Sequence, residues 1–136
     1  MCAHVPQRFA DAPVARMATV SADGDPHLVP VVFAVVDDTV YTAVDDKPKT
    51  TRRLRRLANI AATGRVSLLV DHYDDDWTQL WWVRVDGSAH VLSGQDDEGR
   101  QAIDALVAKY AQYRSMRPSG PVVAVRDLRC RSWSAG

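Results

Sequence analysis

Two lysines, Lys47 and Lys49, stand out by type and spacing. Of the chain's 17 basic residues 14 are arginine, so two of its three lysines lie within one short segment. Arg52, Arg53, Arg55 and Arg56 follow directly, and the stretch from Lys47 to Arg56 contains no acid. Such a run offers point charges and planar forks that suit a phosphate or carboxylate. A helix starting at Thr50 or Thr51 would also aim its first N–H groups and the positive end of its dipole at the lysines. The run is therefore a candidate anion site. The competing readings are a solvated loop whose charges keep a sheet edge soluble and a contact to nucleic-acid backbone.

The formal net charge is zero and 46% of residues are apolar, which gives no overall pull toward nucleic acid or a membrane surface. No apolar run approaches the roughly 20 residues that span a bilayer. There is no Gly-rich phosphate loop, nucleophile elbow, zinc-binding His–Glu pattern or paired cysteine spacing. His4, His27, His72 and His90 are scattered, and Glu98 is the sole glutamate. Asp74, Asp75 and Asp76 are consecutive and lack the alternating spacing of a calcium loop, so no metal is expected. Few acid–base candidates, one local anion site and four tryptophans suit a cofactor that brings its own reactivity, an anionic aromatic molecule. Cys2 and Cys130 lie at opposite ends and follow no signal peptide, which leads us to expect reduced thiols in a cytoplasmic protein.

The elements that must position these residues follow from hydrophobic period. Val5 to Ala12 reads as a short helix and Val14–Ser21 as a strand, followed by a turn at Ala22–Asp25. Leu28 to Val36 is apolar apart from Pro30, turns at Asp37–Asp38 and returns as Thr39–Val44, a hairpin. Its first strand has no alternating polar face, so it should be an inner barrel strand or be covered by a second subunit. Leu54, Leu57, Ala58 and Ala61 recur at helical spacing behind Thr50, and Gly64 ends that helix. Arg65–His72 is a strand. Leu80–Leu92 is the longest, with Trp81, Val83, Val85, Gly87, Ala89 and Val91 on a core face. Its other face, with Trp82, Arg84 and Asp86, resembles a subunit contact or a ligand wall. Gln95–Tyr113 reads as one helix in which Tyr110 and Tyr113 pack, and Val122–Ser134 as the last strand. The expected fold is mainly β, a six-stranded antiparallel barrel with short helices, in a single domain over residues 1–136.

The segment MATVSADGDPHLVPVVFAVVDDTVYTAVDDKPK, the basic helix and RVSLLVDHY resemble the split β-barrel flavin and deazaflavin oxidoreductases related to pyridoxamine 5'-phosphate oxidase, of FMN-binding split-barrel type. Within that superfamily DHYDDDW, LWWVRVDG, AQYRS and Trp133 are similar to an actinobacterial, F420-dependent branch. The resemblance implies a homodimer with cofactor sites at its interface and a small conjugated molecule as substrate. It implies that Pro30, Val31, Val32 and Phe33 lie along the cofactor ring. Lys47, Lys49 and Thr50, joined by Arg53, would hold the phosphate, and a partner subunit would add Trp77, Trp82 and Arg84. Flavin-binding relatives carry an arginine beside the phosphate-binding lysine, whereas Pro48 precedes Lys49 here, which favours F420 over FMN. The alternatives are an FMN oxidase-like enzyme and a non-catalytic protein that binds F420 or flavin.

Overall fold

The computed structural model describes residue 2, residues 4–44 and residues 51–136, with the side chains of residues 51–54 outside the description. A short helix α1 (Gln7–Ala10) leads into β1 (Ala15–Val20), β2 (Pro26–Val31), β3 (Ala34–Val36) and β4 (Thr39–Ala43). Helix α2 (Thr51–Thr63), β5 (Arg65–His72), a 3-10 turn (Trp77–Gln79) and β6 (Trp81–Leu92) follow. The chain closes with α3 (Asp97–Lys109), α4 (Ala111–Ser115) and β7 (Val122–Ser134).

The strands form one antiparallel sheet in the order β2-β1-β5-β6-β7-β4-β3. Seven strands replace the expected six because the apolar run from Leu28 to Val36 is two strands. It breaks at Val32–Phe33, with β2 pairing to β1 and β3 pairing to β4. Consecutive in the chain, β2 and β3 therefore sit at opposite ends of the sheet, which wraps them into a split barrel. The end position explains how Pro26 and Pro30 are accommodated, since a proline cannot donate to an inner ladder. It also corrects the inner-strand expectation: β2 buries only alternate residues, and Leu28 is 67% exposed.

Inside the barrel Met17, Leu68, Val83, Val85 and Val125 are fully buried, drawn from alternate positions of β1, β5, β6 and β7. Gly87 lies at the irregular pairing between Asp86 and Ser88, where a Cβ would come within 2.6 Å of Arg126 O. Only glycine allows that close approach, and the irregularity bends the two longest strands. Gly64, at φ 67°, ends α2 by accepting the left-handed conformation there.

α2 packs on β1 and β6 through a face that keeps Leu57 of the expected positions and is otherwise shifted. Ile60 and Asn59 are buried, while Ala58 and Ala61 are exposed. The buried Asn59 is satisfied by donating to Thr19 Oγ1 at 3.0 Å, a polar pair that shifts the helix's inner face by one to two residues. The helix expected over Gln95–Tyr113 is two, because Tyr110 takes extended backbone (φ −114°, ψ 114°) between α3 and α4. Ala102, Ile103 and Leu106 of α3 pack among the sheet residues of β3, β4 and β7.

The expectation of reduced thiols is also overturned: Cys2 and Cys130 form a disulfide. Cys2 N donates to Leu128 O at 3.0 Å, which sets Cys2 beside β7, two positions from Cys130. Among the described residues no helix is long and apolar enough to cross a membrane, and no group of metal-ligating side chains gathers.

Candidate active site

A cavity of about 390 Å³ opens where β2 leaves the sheet. Pro30, Val31 and Val32 line one side, and Thr42 and Ala43 of β4 line another. Arg56 of α2 supplies a cation, and Tyr110, Gln112, Tyr113 and Met116 close the third side from the α3–α4 break onward. Breaking the helix at Tyr110 is what turns these residues toward β2.

The bend in the floor is held by side chains. The peptide between Val32 and Phe33 is gripped at both ends: Thr42 Oγ1 donates to Val32 O at 2.7 Å, and Phe33 N–H donates to Tyr110 Oη at 3.1 Å. Tyr110 Oη stands 3.0 Å from Phe33 O and 2.9 Å from Pro13 O, and its single proton serves one of them at a time. Lys109 Nζ donates to Phe33 O and to Ala10 O, both at 2.9 Å, and lies 3.9 Å above the Phe33 ring. Phe33 is itself fully buried against Phe9, ring centroids 5.0 Å apart. Burial raises the Tyr110 hydroxyl above its ordinary pKa and, with Asp11 opposing it, lowers the Lys109 ammonium to about 8.

The other end of α3 is anchored by Glu98, which accepts two bonds from the Arg126 guanidinium (2.6 and 2.8 Å) and one from Tyr41 Oη (2.7 Å). These donors, Arg126 foremost, hold the Glu98 carboxyl down to about 2.

A second hollow, about 500 Å³, lies on the outer face of β2, β1, β5 and β6. Leu28, Leu69 and Trp82 give it an apolar centre, edged by Arg16, Arg84 and Asp71. Arg84 Nε is 3.3 Å from Asp86 Oδ2, and it is buried without hydrogen-bond geometry to any described group. Asp86 accepts from Ser67 instead. The hollow adjoins the cavity, because Pro30 of the cavity pairs across the strands with Arg16 of the hollow.

The residues singled out in the sequence thus fall in separate places. Pro30, Val31 and Val32 meet in the cavity, and Phe33 is buried behind it. Trp82 and Arg84 line the outer hollow. Trp77 is 69% exposed in its 3-10 turn, with Nε1 pointing at Tyr73 Oη (3.4 Å). Lys47, Lys49 and Thr50 lie outside the described residues, as does the side chain of Arg53, which belongs to the first turn of α2. Sequence reasoning missed Thr42, Gln112, Met116 and Lys109. The signal for Lys109 was its rarity, as the third lysine of the chain.

The pyridoxamine 5'-phosphate oxidase family profile matches residues 3–133. The chain belongs to the pyridoxamine 5'-phosphate oxidase family. Its fold is shared with conserved hypothetical protein Rv2991 from Mycobacterium tuberculosis, at TM-score 0.72 and 22% identity over 99% of this chain and 89% of that one. It is shared with the heme storage protein HutZ from Vibrio cholerae, at TM-score 0.69 and 14% identity over 94% and 90% of the two chains. An FAD-binding protein from Mesorhizobium loti follows at TM-score 0.65 and 19% identity, over 93% and 87%. At these identities the likeness is one of fold. A comparison with curated proteins found no match.

Proposed function

We propose that this member of the pyridoxamine 5'-phosphate oxidase family is an oxidoreductase that holds a flavin-type cofactor in the cavity beside Pro30–Val32. The observation that carries the reading is the cavity's composition, an apolar floor with one arginine at its side. That composition fits a fused aromatic ring joined to a phosphate, and the volume suits such a ligand. Val31 and Val32 would lie against the ring, with Tyr110, Tyr113 and Met116 excluding water from it. Arg56 would face the phosphate, together with Lys47, Lys49, Thr50 and Arg53 from the segment that borders it in the chain. When bound, such a cofactor supplies hydride chemistry. The residues around it contribute position, a dry surface and charge. Among the described residues that line it there is no carboxylate or imidazole, which favours solvent as the source of any substrate proton.

We infer further that the cofactor is F420, FMN being the alternative, and that the acceptor is a small conjugated molecule. The active form would be a homodimer, its second copy seated on the outer hollow. Two features favour that seat: an apolar centre edged by charges of both signs, as a self-complementary patch requires, and the exposed Leu28 at its middle.

The test is tryptophan fluorescence titration with F420, FMN and heme. Saturable binding of F420 alone is expected, weakened at least about tenfold when Lys47 and Lys49 are both replaced by alanine, since charge-assisted contacts are worth roughly 1.5–3 kcal/mol each. Preference for FMN would move the protein to the oxidase-like reading. A preference for heme, or tight cofactor binding without hydride transfer to any enone or quinone, would make it a binding protein.

A further inference from the structure

Three separate pieces of chain meet at one point behind the cavity. The segment leading into β1 brings Ala10 O and Pro13 O, the β2–β3 break brings Phe33, and the end of α3 brings Lys109 and Tyr110. Tyr110 is the one member of the group that also lines the cavity. Lys109 does not line it, so the lysine can act on a ligand only through what it holds.

We propose that Lys109 is a charge-sensitive positioning residue, whose ammonium fixes Phe33 through its carbonyl and so, with Tyr110, makes the shape of the cavity floor, and its hold on a ligand, follow the lysine's protonation. The inference rests on the cavity assigned above but not on which cofactor fills it. Phe33 O accepts from Lys109 while Phe33 N–H donates to Tyr110, so both polar groups of this buried residue end on the α3 terminus. An ionised donor makes a bond roughly twice as strong as a neutral one. Loss of the proton therefore loosens Phe33 O first, and with it the neighbour that aligns the Tyr110 hydroxyl.

The surroundings make that loss accessible. With its pKa lowered to about 8, the ammonium gives up its proton around pH 8 rather than near 10.5. The charged group that opposes this is Asp11, just past α1. The other charge of α1, Arg8, is turned to the Trp81 ring at 4.5 Å. On the α4 side Arg114 bonds Ala108 O at 3.1 Å, and Tyr113 meets the Tyr110 ring edge-on. The segment through Phe33 presents only carbonyls and a ring, so no carboxylate from that side holds the proton in place.

The sign of the effect separates this role from plain structural support. Because the folded pKa lies below the ordinary 10.5, the unfolded chain binds the proton more tightly between about 8 and 10.5. Lys109's contribution to stability therefore rises with pH over that window, while its hold on the floor falls.

The experiment follows the Val32 and Phe33 amides of the full ¹⁵N-labelled chain by NMR from about pH 6.5 to about 9.5, in wild type, Lys109→Arg and Lys109→Met. In wild type the Phe33 amide should shift with a midpoint near 8. Lys109→Arg, charged throughout, should stay at the low-pH position, and Lys109→Met should sit near the high-pH one. A wild-type Phe33 amide that does not move, or that moves identically in Lys109→Arg, would overturn the proposal. F420 titration over the same range is the second readout: affinity should fall about threefold to tenfold in wild type and stay level in Lys109→Arg. Failure to bind F420 at any pH would count against the cofactor assignment, with the amide result still deciding the role of Lys109.

Discussion

The two hollows of the molecule are built in opposite ways. The cavity floor is gripped by side chains from other elements, Thr42 on Val32 and Tyr110 and Lys109 on Phe33, and the far end of α3 is tied by Glu98 to Arg126 and Tyr41. The outer hollow leaves Leu28 exposed and Arg84 short of a hydrogen bond. One is braced by bonds within the chain, and the other is an open surface, the seat proposed above for a second copy. The difference teaches where substitutions should act: on folding at the first, on association at the second.

The sharpest way to break this contrast is Phe33→Ala. Phe33 is fully buried against Phe9 under Lys109, so truncation should cost about 3 to 5 kcal/mol in chemical denaturation. A loss of well under 1 kcal/mol would mean that the floor is far looser than its bonds imply. Next is Glu98→Gln, which removes a carboxylate that accepts three bonds from partly exposed partners; about 1 to 2 kcal/mol is expected at neutral pH. Because the Glu98 pKa is lowered from 4.5 to about 2, its contribution is present above 4.5 and lost as pH falls toward 2. Denaturation curves for wild type and variant should converge over that interval, and parallel curves would contradict the assignment. The smallest effect on the subunit should come from Leu28→Asp, within roughly 0.5 kcal/mol of wild type in stability. Sedimentation should nonetheless show a change from dimer to monomer. A wild-type chain that sediments as a monomer, or a variant that remains dimeric, would remove the outer hollow as the seat of the second copy.

The local parts of this structure were readable in the sequence. β5 and β7 occupy the expected residues, and β6 carries its two faces as far as Ala89, beyond which Val91, expected in the core, is 44% exposed. These segments need only their own period-2 pattern and their bounding turns. The break at Val32–Phe33 was not readable, since an uninterrupted apolar run carries no mark of changing partner strands. Nor was the break at Tyr110, because the residues on both sides keep a helical period and the bonds that interrupt it come from Pro13 and Phe33. The same holds for the Cys2–Cys130 link, whose partners are 128 positions apart. Of the site, Pro30–Val32 were legible only as part of a continuous apolar strand, their place beside a cofactor coming from the family resemblance, whereas Thr42 and Lys109 became functional candidates only once distant segments had met.

The seam of the barrel deserves a last consideration. In most sheets the two outermost strands are free edges, open to pairing with another chain or to exchange between copies. Here β2 and β3 are the outermost strands, and only Val32 and Phe33 join them. Closure is thus made by two residues of covalent chain rather than by a hydrogen-bonded ladder. Neither strand can be lent to a neighbour without dragging the other, so strand swapping across this junction is disfavoured by connectivity alone. A ligand beside Val32 leans on the one seam that cannot be unzipped.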